Sequence, residues 1–161
     1  MKRVLVLPLA ATLLLGLTGC ITVQVTPNGD RDADGRPIET ISCEAQRSVT
    51  LDEPDTNYSL GGSCRKIVVE GRNISVAAEK VRELIVRGDE NILSIGDFDT
   101  LSVEGQGNDI ETLQGGDAII KGNDNSLHSA DDLAVVNVSG QGNEVTAEGF
   151  IASLDENGSA G

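Results

Sequence analysis

Short runs of alternating apolar and polar residues recur along the chain: Ile67-Val68-Val69-Glu70, Leu84-Ile85-Val86-Arg87, Leu101-Ser102-Val103-Glu104, Ala118-Ile119-Ile120-Lys121 and Val136-Asn137-Val138-Ser139. A period of two is that of a β-strand with one buried face. Two inward columns follow, Ile67/Leu84/Leu101/Ala118/Val136 and Val69/Val86/Val103/Ile120/Val138. A further apolar column comes after each run, at Val76, Leu93, Ile110, Leu127 and Val145. Another holds Val81, Phe98, Gly115, Leu133 (after a one-residue insertion) and Phe150.

Every run is followed by glycine. Gly71, Gly88, Gly105, Gly122 and Gly140 are spaced 17, 17, 17 and 18 residues apart, and Asn91, Asn108, Asn125 and Asn143 keep the same interval. A repeat this short cannot bury its apolar face alone and must stack on its neighbours. Helical coils are excluded, because the apolar spacing is not 3.6 and glycine interrupts every repeat. A constant side-chain order in each repeat favours parallel stacking over an antiparallel meander. The chain is therefore read as all-β: a small parallel β-helix, or β-solenoid, of about six coils with 17–18-residue repeats.

The glycines are expected to supply turns with φ > 0. Asparagine tolerates left-handed backbone, and stacked asparagines can bond to the coils above and below. Asn91, Asn108, Asn125 and Asn143 thus read as a structural turn ladder, with a ligand-binding ladder as the functional alternative; Ile74 breaks the column in the first coil. Before the glycines stand Glu70, Arg87, Glu104, Lys121 and Ser139. Parallel stacking would set the first four, alternating in sign, about 4.8 Å apart on the outer surface and help hold register.

Upstream the pattern loosens. Val49, Leu51 and Leu60 sit at core positions, and Cys64 lies 17 residues before Val81, so it falls in the Phe98 column. Residues 41–66 read as an N-terminal cap and degenerate coil, and 41–150 as the solenoid domain. Residues 151–161 read as a closing segment and a disordered tail.

The first 19 residues read as a signal peptide. Lys2 and Arg3 precede an apolar Val4–Leu15 stretch, and Leu17-Thr18-Gly19-Cys20 matches the bacterial lipobox. An ordinary secretory signal is the plainer alternative. In the lipoproteins this segment resembles, Cys20 is the site of lipid attachment and becomes the new N-terminus, facing the extracytoplasmic side of the cell membrane. Of three cysteines, Cys43 and Cys64 then remain. A disulfide between them would staple the cap and contribute roughly 3 kcal/mol. Two free thiols or a metal site are the alternatives, but the one histidine, His128, has no ligand cluster around it in the sequence.

Charge is uneven. The net charge is −14, and residues 88–161 carry 15 acidic side chains and one basic one, Lys121. Such a surface repels nucleic acid and anionic headgroups. With two Phe, one Tyr and no Trp, the core must be a column of aliphatic side chains.

The lipobox, the cysteine pair and repeated Val-x-Gly-x-x-Asn-x-Val coils together resemble domain-of-unknown-function family 3060, of small actinobacterial secreted proteins and lipoproteins. The motif reads Val86-Arg87-Gly88-Asp89-Glu90-Asn91-Ile92-Leu93, Val103-Glu104-Gly105-Gln106-Gly107-Asn108-Asp109-Ile110 and Val138-Ser139-Gly140-Gln141-Gly142-Asn143-Glu144-Val145. The resemblance covers about residues 41–150 and implies a β-helical envelope protein without catalytic residues to carry over. Ile74, Gly115 and the strong acidity depart from it.

Residues 20–40 read as an acidic linker. Asp30-Arg31-Asp32-Ala33-Asp34-Gly35 spaces its carboxylates like the start of a calcium loop. Asp30, Asp32, Asp34 and Glu39, with the Arg36 carbonyl, form the candidate calcium set; the alternative is a solvated spacer. Calcium is the one cofactor in view, and none is required by the repeat. Enzyme chemistry has little to stand on: Asp97 with Asp99, or Asp131 with Asp132, could mimic a glycan-active acid pair, but solvated turn acids account for them better. His128 should point outward beside Leu127. The expectation is a monomeric, non-catalytic structural or binding module, anchored to the membrane and meeting an envelope protein or glycan through its outer faces. A calcium-responsive surface protein is the runner-up.

Overall fold

The computed structural model describes residues 30–44 and 48–157. The signal segment 1–19, the Cys20 lipidation site, the first part of the linker and residues 158–161 lie outside the described residues.

Among the described residues there is no helix, and ten strands form one parallel solenoid of about seven turns. The strands are β1 (Ile38–Ser42), β2 (Ser48–Leu51), β3 (Asn57–Val69), β4 (Ser75–Val86), β5 (Ile92–Val103), β6 (Asp109–Lys121), β7 (Ser126–Ser129), β8 (Leu133–Ser139), β9 (Glu144–Ala147) and β10 (Ile151–Glu156). β3 through β6 stack in sequence, and each is long enough to serve two faces of its coil. β1 and β2 pair with the two halves of β3; β7 and β8 pair with the two halves of β6. The stack thus begins at Ile38 and ends at Glu156. It is longer than the 41–150 expected, because β1 adds a strand beneath β3 and β10 adds one over β8.

The repeat sets the register. β4 meets β5 at an offset of 17 throughout, Val76 on Leu93 and Leu84 on Leu101. The insertion falls between Ser129 and Leu133, where Thr112 pairs with Ser129 but Gly115 pairs with Leu133, and there the strand splits into β7 and β8. Another irregularity lies in β3 between Leu60 and Ser63, where the extra residue is taken up at Gly61-Gly62 and Gly62 has φ +83°.

The two strand columns are buried along their length, as is Val76-Leu93-Ile110-Leu127. Burying each such aliphatic side chain contributes about 1.5–3 kcal/mol. Cys64 packs in register with Val81 and Val81 with Phe98, as the spacing predicts. No gap is left at Gly115, where a Cβ would overlap the Phe98 ring below and Leu133 above. Phe98 and Leu133 thus fill the space that Gly115 leaves between them.

One column ends differently from the expectation. Phe150 is 67% exposed, and Ile151 pairs with Leu133 in its place. The 18-residue offset of the insertion carries into the last coil, so the inward position moves one residue on. Val145, at the open end of its column, is only partly buried. A further inward column, Ala78, Ile95, Thr112 and Ser129, has no constant apolar signal in the sequence. Its upper members are polar, and each hydroxyl donates to a nearby carbonyl, Thr112 to Gly96 and Ser129 to Leu113.

The turns reassign the roles of Gly and Asn. Among the repeat glycines only Gly122 (φ +142°) and Gly140 (φ +111°) have positive φ. What the column requires is closeness: a Cβ on Gly88, Gly105, Gly122 or Gly140 would overlap the carbonyl oxygen of the glycine one coil below. Left-handed backbone falls two residues later, at Asn73, Glu90, Gly107, Asp124 and Gly142, with φ between 55° and 67°. The ladder asparagines are not left-handed.

Candidate functional site

Asn91, Asn108 and Asn125 are buried inside the turn corner. Each side-chain oxygen accepts from the backbone N–H one coil below: Ile74 to Asn91 at 2.9 Å, Asn91 to Asn108 at 3.1 Å, Asn108 to Asn125 at 3.1 Å and Asn125 to Asn143 at 3.0 Å. Each side-chain nitrogen donates to a glycine carbonyl in the coil below, as Asn108 Nδ2 does to Gly88 at 3.0 Å. The amides also bond to one another, Asn91 to Asn108 and Asn108 to Asn125 at 3.0 Å. At Asn91, Asn108 and Asn125 both amide donors and the oxygen are engaged between coils, which leaves these three side chains no donor for a ligand.

Several outer cations pair with acids of a neighbouring coil. Arg87 joins Glu70 at 3.0 Å and Glu104 at 3.4 Å, as the alternating column predicts. Lys66 pairs with Glu83 (2.9 Å), Lys80 with Asp97 (3.8 Å) and Arg82 with Asp99 (3.4 Å). Asp97 and Asp99 therefore sit above cations of the preceding coil, and Asp99 lines a shallow hollow with Glu83, Arg65 and Arg82. Asp132 accepts the Phe150 N–H at 2.8 Å and so holds a turn. Asp131 and Asp132 are both exposed.

The candidate calcium residues are dispersed among other tasks. Asp32 Oδ1 accepts from the N–H of Asp34 (2.9 Å) and Arg36 (2.7 Å). Asp32 Oδ2 accepts from Arg36 Nε (3.0 Å) and Asn57 Nδ2 (2.6 Å), which ties the turn to β3. Partial removal from water works to raise the Asp32 pKa. The bonds from the Arg36 backbone, Asn57, the Arg36 guanidinium and Asp34 outweigh it and hold the pKa at about 2. The Arg36 carbonyl accepts the Asp32 N–H at 3.0 Å. Asp30 and Asp34 are exposed. Glu39 instead lies on β1 in register with Tyr58, beneath the Val76 column. Burial, then the charges of Glu53 and Asp52, raise its pKa. Burial, then Glu39, push the Tyr58 hydroxyl up to about 12, against a lowering bond from the Glu53 backbone. Among the described residues no three His, Cys, Asp or Glu side chains converge as a metal-ligand group.

Cys43 and Cys64 form a disulfide, with Cα atoms 4.8 Å apart. Both are buried, and the bond joins the lowest coil to the next.

A shallow groove of about 640 Å³ lies on the face formed by the first halves of the long strands. Small side chains floor it, Ser59, Ala77 and Ser94, and the exposed Leu113 stands at its side with Glu79 and Glu111. His128 lies in this outer column between Glu111 and Thr146, and its Nδ1 is 2.8 Å from Thr146 Oγ1. Its place on the outer face agrees with its alternation beside Leu127. His128 lines the groove, and no Phe, Tyr or Trp ring does.

No protein family, characterised protein or solved structure matches this chain. Its function is therefore argued from the solenoid itself.

Proposed function

We propose that the chain is a lipid-anchored cell-envelope β-solenoid, held at Cys20 on the extracytoplasmic side of the cell membrane, that acts as a structural or binding module without catalysis. One observation carries the reading. The repeated polar residues that could have formed a site are engaged in building the stack: the asparagines with each other and with glycine carbonyls, and Asp97 and Asp99 with Lys80 and Arg82. What remains for contact is outer surface. The lipobox at Leu17–Cys20 and the acidic spacer after it support a module held off a membrane. The likeness to family 3060 agrees with this reading.

The anchor is tested by growing the native chain and a Cys20→Ser variant with labelled palmitate. Label on the first and none on the second is expected; unlabelled native protein overturns the anchor. The binding role is tested by capture from envelope extracts with the full chain. A partner lost when outer-face residues Glu111 and Leu113 are changed supports it, and hydrolysis of cell-wall glycan that ceases in an Asp97→Asn variant overturns it.

A further inference from the structure

The two halves of the long strands use their charges differently. Along the second halves, Lys66 meets Glu83, Arg82 meets Asp99, and Arg87 meets Glu70 and Glu104. On the first-half face the groove crosses β3 to β7, with stacked coils on either side of it, and it is lined by Glu79 and Glu111. Among the described residues neither acid pairs with a Lys or Arg, and no Lys or Arg lines the groove. Its apolar surface is also uncovered. Leu113 stands exposed at its side, and an adjoining hollow of about 370 Å³ shares Ser59, Ala77 and Ser94 with it and reaches the exposed Ile92. Two large apolar side chains thus flank one low floor, which is the pattern of a contact surface rather than of scattered surface residues. Glycine keeps that floor low: a Cβ on Gly96 would overlap the Glu79 carbonyl, whereas a Cβ on Gly61 would enter open space.

We propose that this groove docks an extended segment of an envelope protein that alternates small apolar side chains with lysine or arginine. The apolar side chains descend onto Ser59, Ala77 and Ser94 between Ile92 and Leu113, and the cations meet Glu79 and Glu111 at the rim. These two acids lie on β4 and β6, two coils or about 10 Å apart. Side chains two to four residues apart on one side of an extended segment are about 7–13 Å apart and bracket that distance. Apolar contact keeps water from the floor, and the charges speed encounter and exclude acidic segments. A second copy of this chain fits poorly. Face to face, two copies would set these acids against each other, and Lys66, Arg82 and Arg87 are already held by acids of their own chain.

The inference rests on the binding-module reading and names the partner's chemistry. The test uses the full chain in nonionic detergent with a labelled peptide that alternates Val with Lys. Fluorescence anisotropy should show saturable binding that weakens as salt is raised. Glu79→Lys with Glu111→Lys should weaken it about tenfold or more, and should let a peptide with Glu in place of Lys bind instead. Gly61→Leu, which fills the floor where a Cβ meets open space, should weaken it as much while the melting transition stays cooperative. Asp97→Ala, outside the groove, should leave binding unchanged. No saturable binding, equal binding of the Glu peptide to the native chain, full binding to the Gly61→Leu chain, or self-association of the native chain that this variant loses would each overturn the proposal. Binding that appears only once Val23 and Val25 are replaced by Ser would also overturn it, since the occupant would then be this chain's own linker. If the peptide fails yet envelope capture depends on Glu111 and Leu113, only the cationic segment falls and the binding-module reading stands.

Discussion

At the N-terminal end, the Val76 column finishes on Tyr58 and then on a carboxylate, Glu39. At the C-terminal end the last described member of the same column is Val145. The lower end is also tied by the Cys43–Cys64 bond, and Ile41, Val49 and Leu51 are buried in its first coil. Among the described residues the upper end has no disulfide, and it exposes Phe150 and Leu154. An inward-pointing charge at a sheet edge is a device against edge-to-edge pairing. Among the described residues of this column, only the lower end carries one. Repetition alone therefore does not decide how a stack ends; the residues that break the repeat do.

The sharpest way to break this contrast is to truncate the same residue type at two heights. Phe98→Ala, mid-stack beneath Gly115, should cost about 3–5 kcal/mol in denaturant unfolding. Phe150→Ala, at the open end, should cost less than about 0.5 kcal/mol. Equal losses would mean that the upper end is covered. The ladder gives a second pair. Asn108→Ala leaves the Asn91 N–H and the Gly88 carbonyl buried and unpaired, and should cost about 3 kcal/mol. Asn143→Ala, on the half-buried last rung, should cost about 1 kcal/mol.

Replacing Cys43 and Cys64 by Ala should cost about 2–3 kcal/mol. Hydrogen exchange should show the loss as faster opening of β1 and β2, with β9 unchanged. Opening spread evenly along the stack would show that the staple acts on the whole unfolded chain rather than on its end.

Two pH effects follow at the lower end, and they have opposite sign. Burial raises the Glu39 pKa, so its stability contribution is complete below the ordinary carboxylate value of 4.5 and is lost as pH rises through the raised folded value. Glu39→Gln should therefore stabilise the fold at neutral pH and leave it unchanged in acid. Asp32 is held at about 2, so its contribution is present above the ordinary value of 3.8 and disappears as pH falls through about 2. Asp32→Asn should remove that acid-side dependence, and it should have the smallest effect on the melting midpoint.

The parallel solenoid and its main inward columns were legible because stacking repeats the same environment every 17 residues, and the Cys43–Cys64 pair because setting Cys20 aside leaves two cysteines. Chemistry specific to one coil was not. The Ala78-Ile95-Thr112-Ser129 column changes from apolar to polar, and hydroxyl bonds to carbonyls make that change tolerable only in three dimensions. Glu39 read as a calcium ligand by its spacing from Asp30, yet strand pairing turns it toward Tyr58 and leaves Asp32 to close the turn. Phe150 read as core because the insertion after Ser129 was carried through one column and not into the next coil.

The sequence by itself determined the coil length, the inward face of each strand and the places where backbones must come closest, because each depends on periodic residue type. Only the tertiary structure decided which residues take left-handed turns and how the asparagines share their hydrogen bonds. Those outcomes depend on what lies one coil above or below.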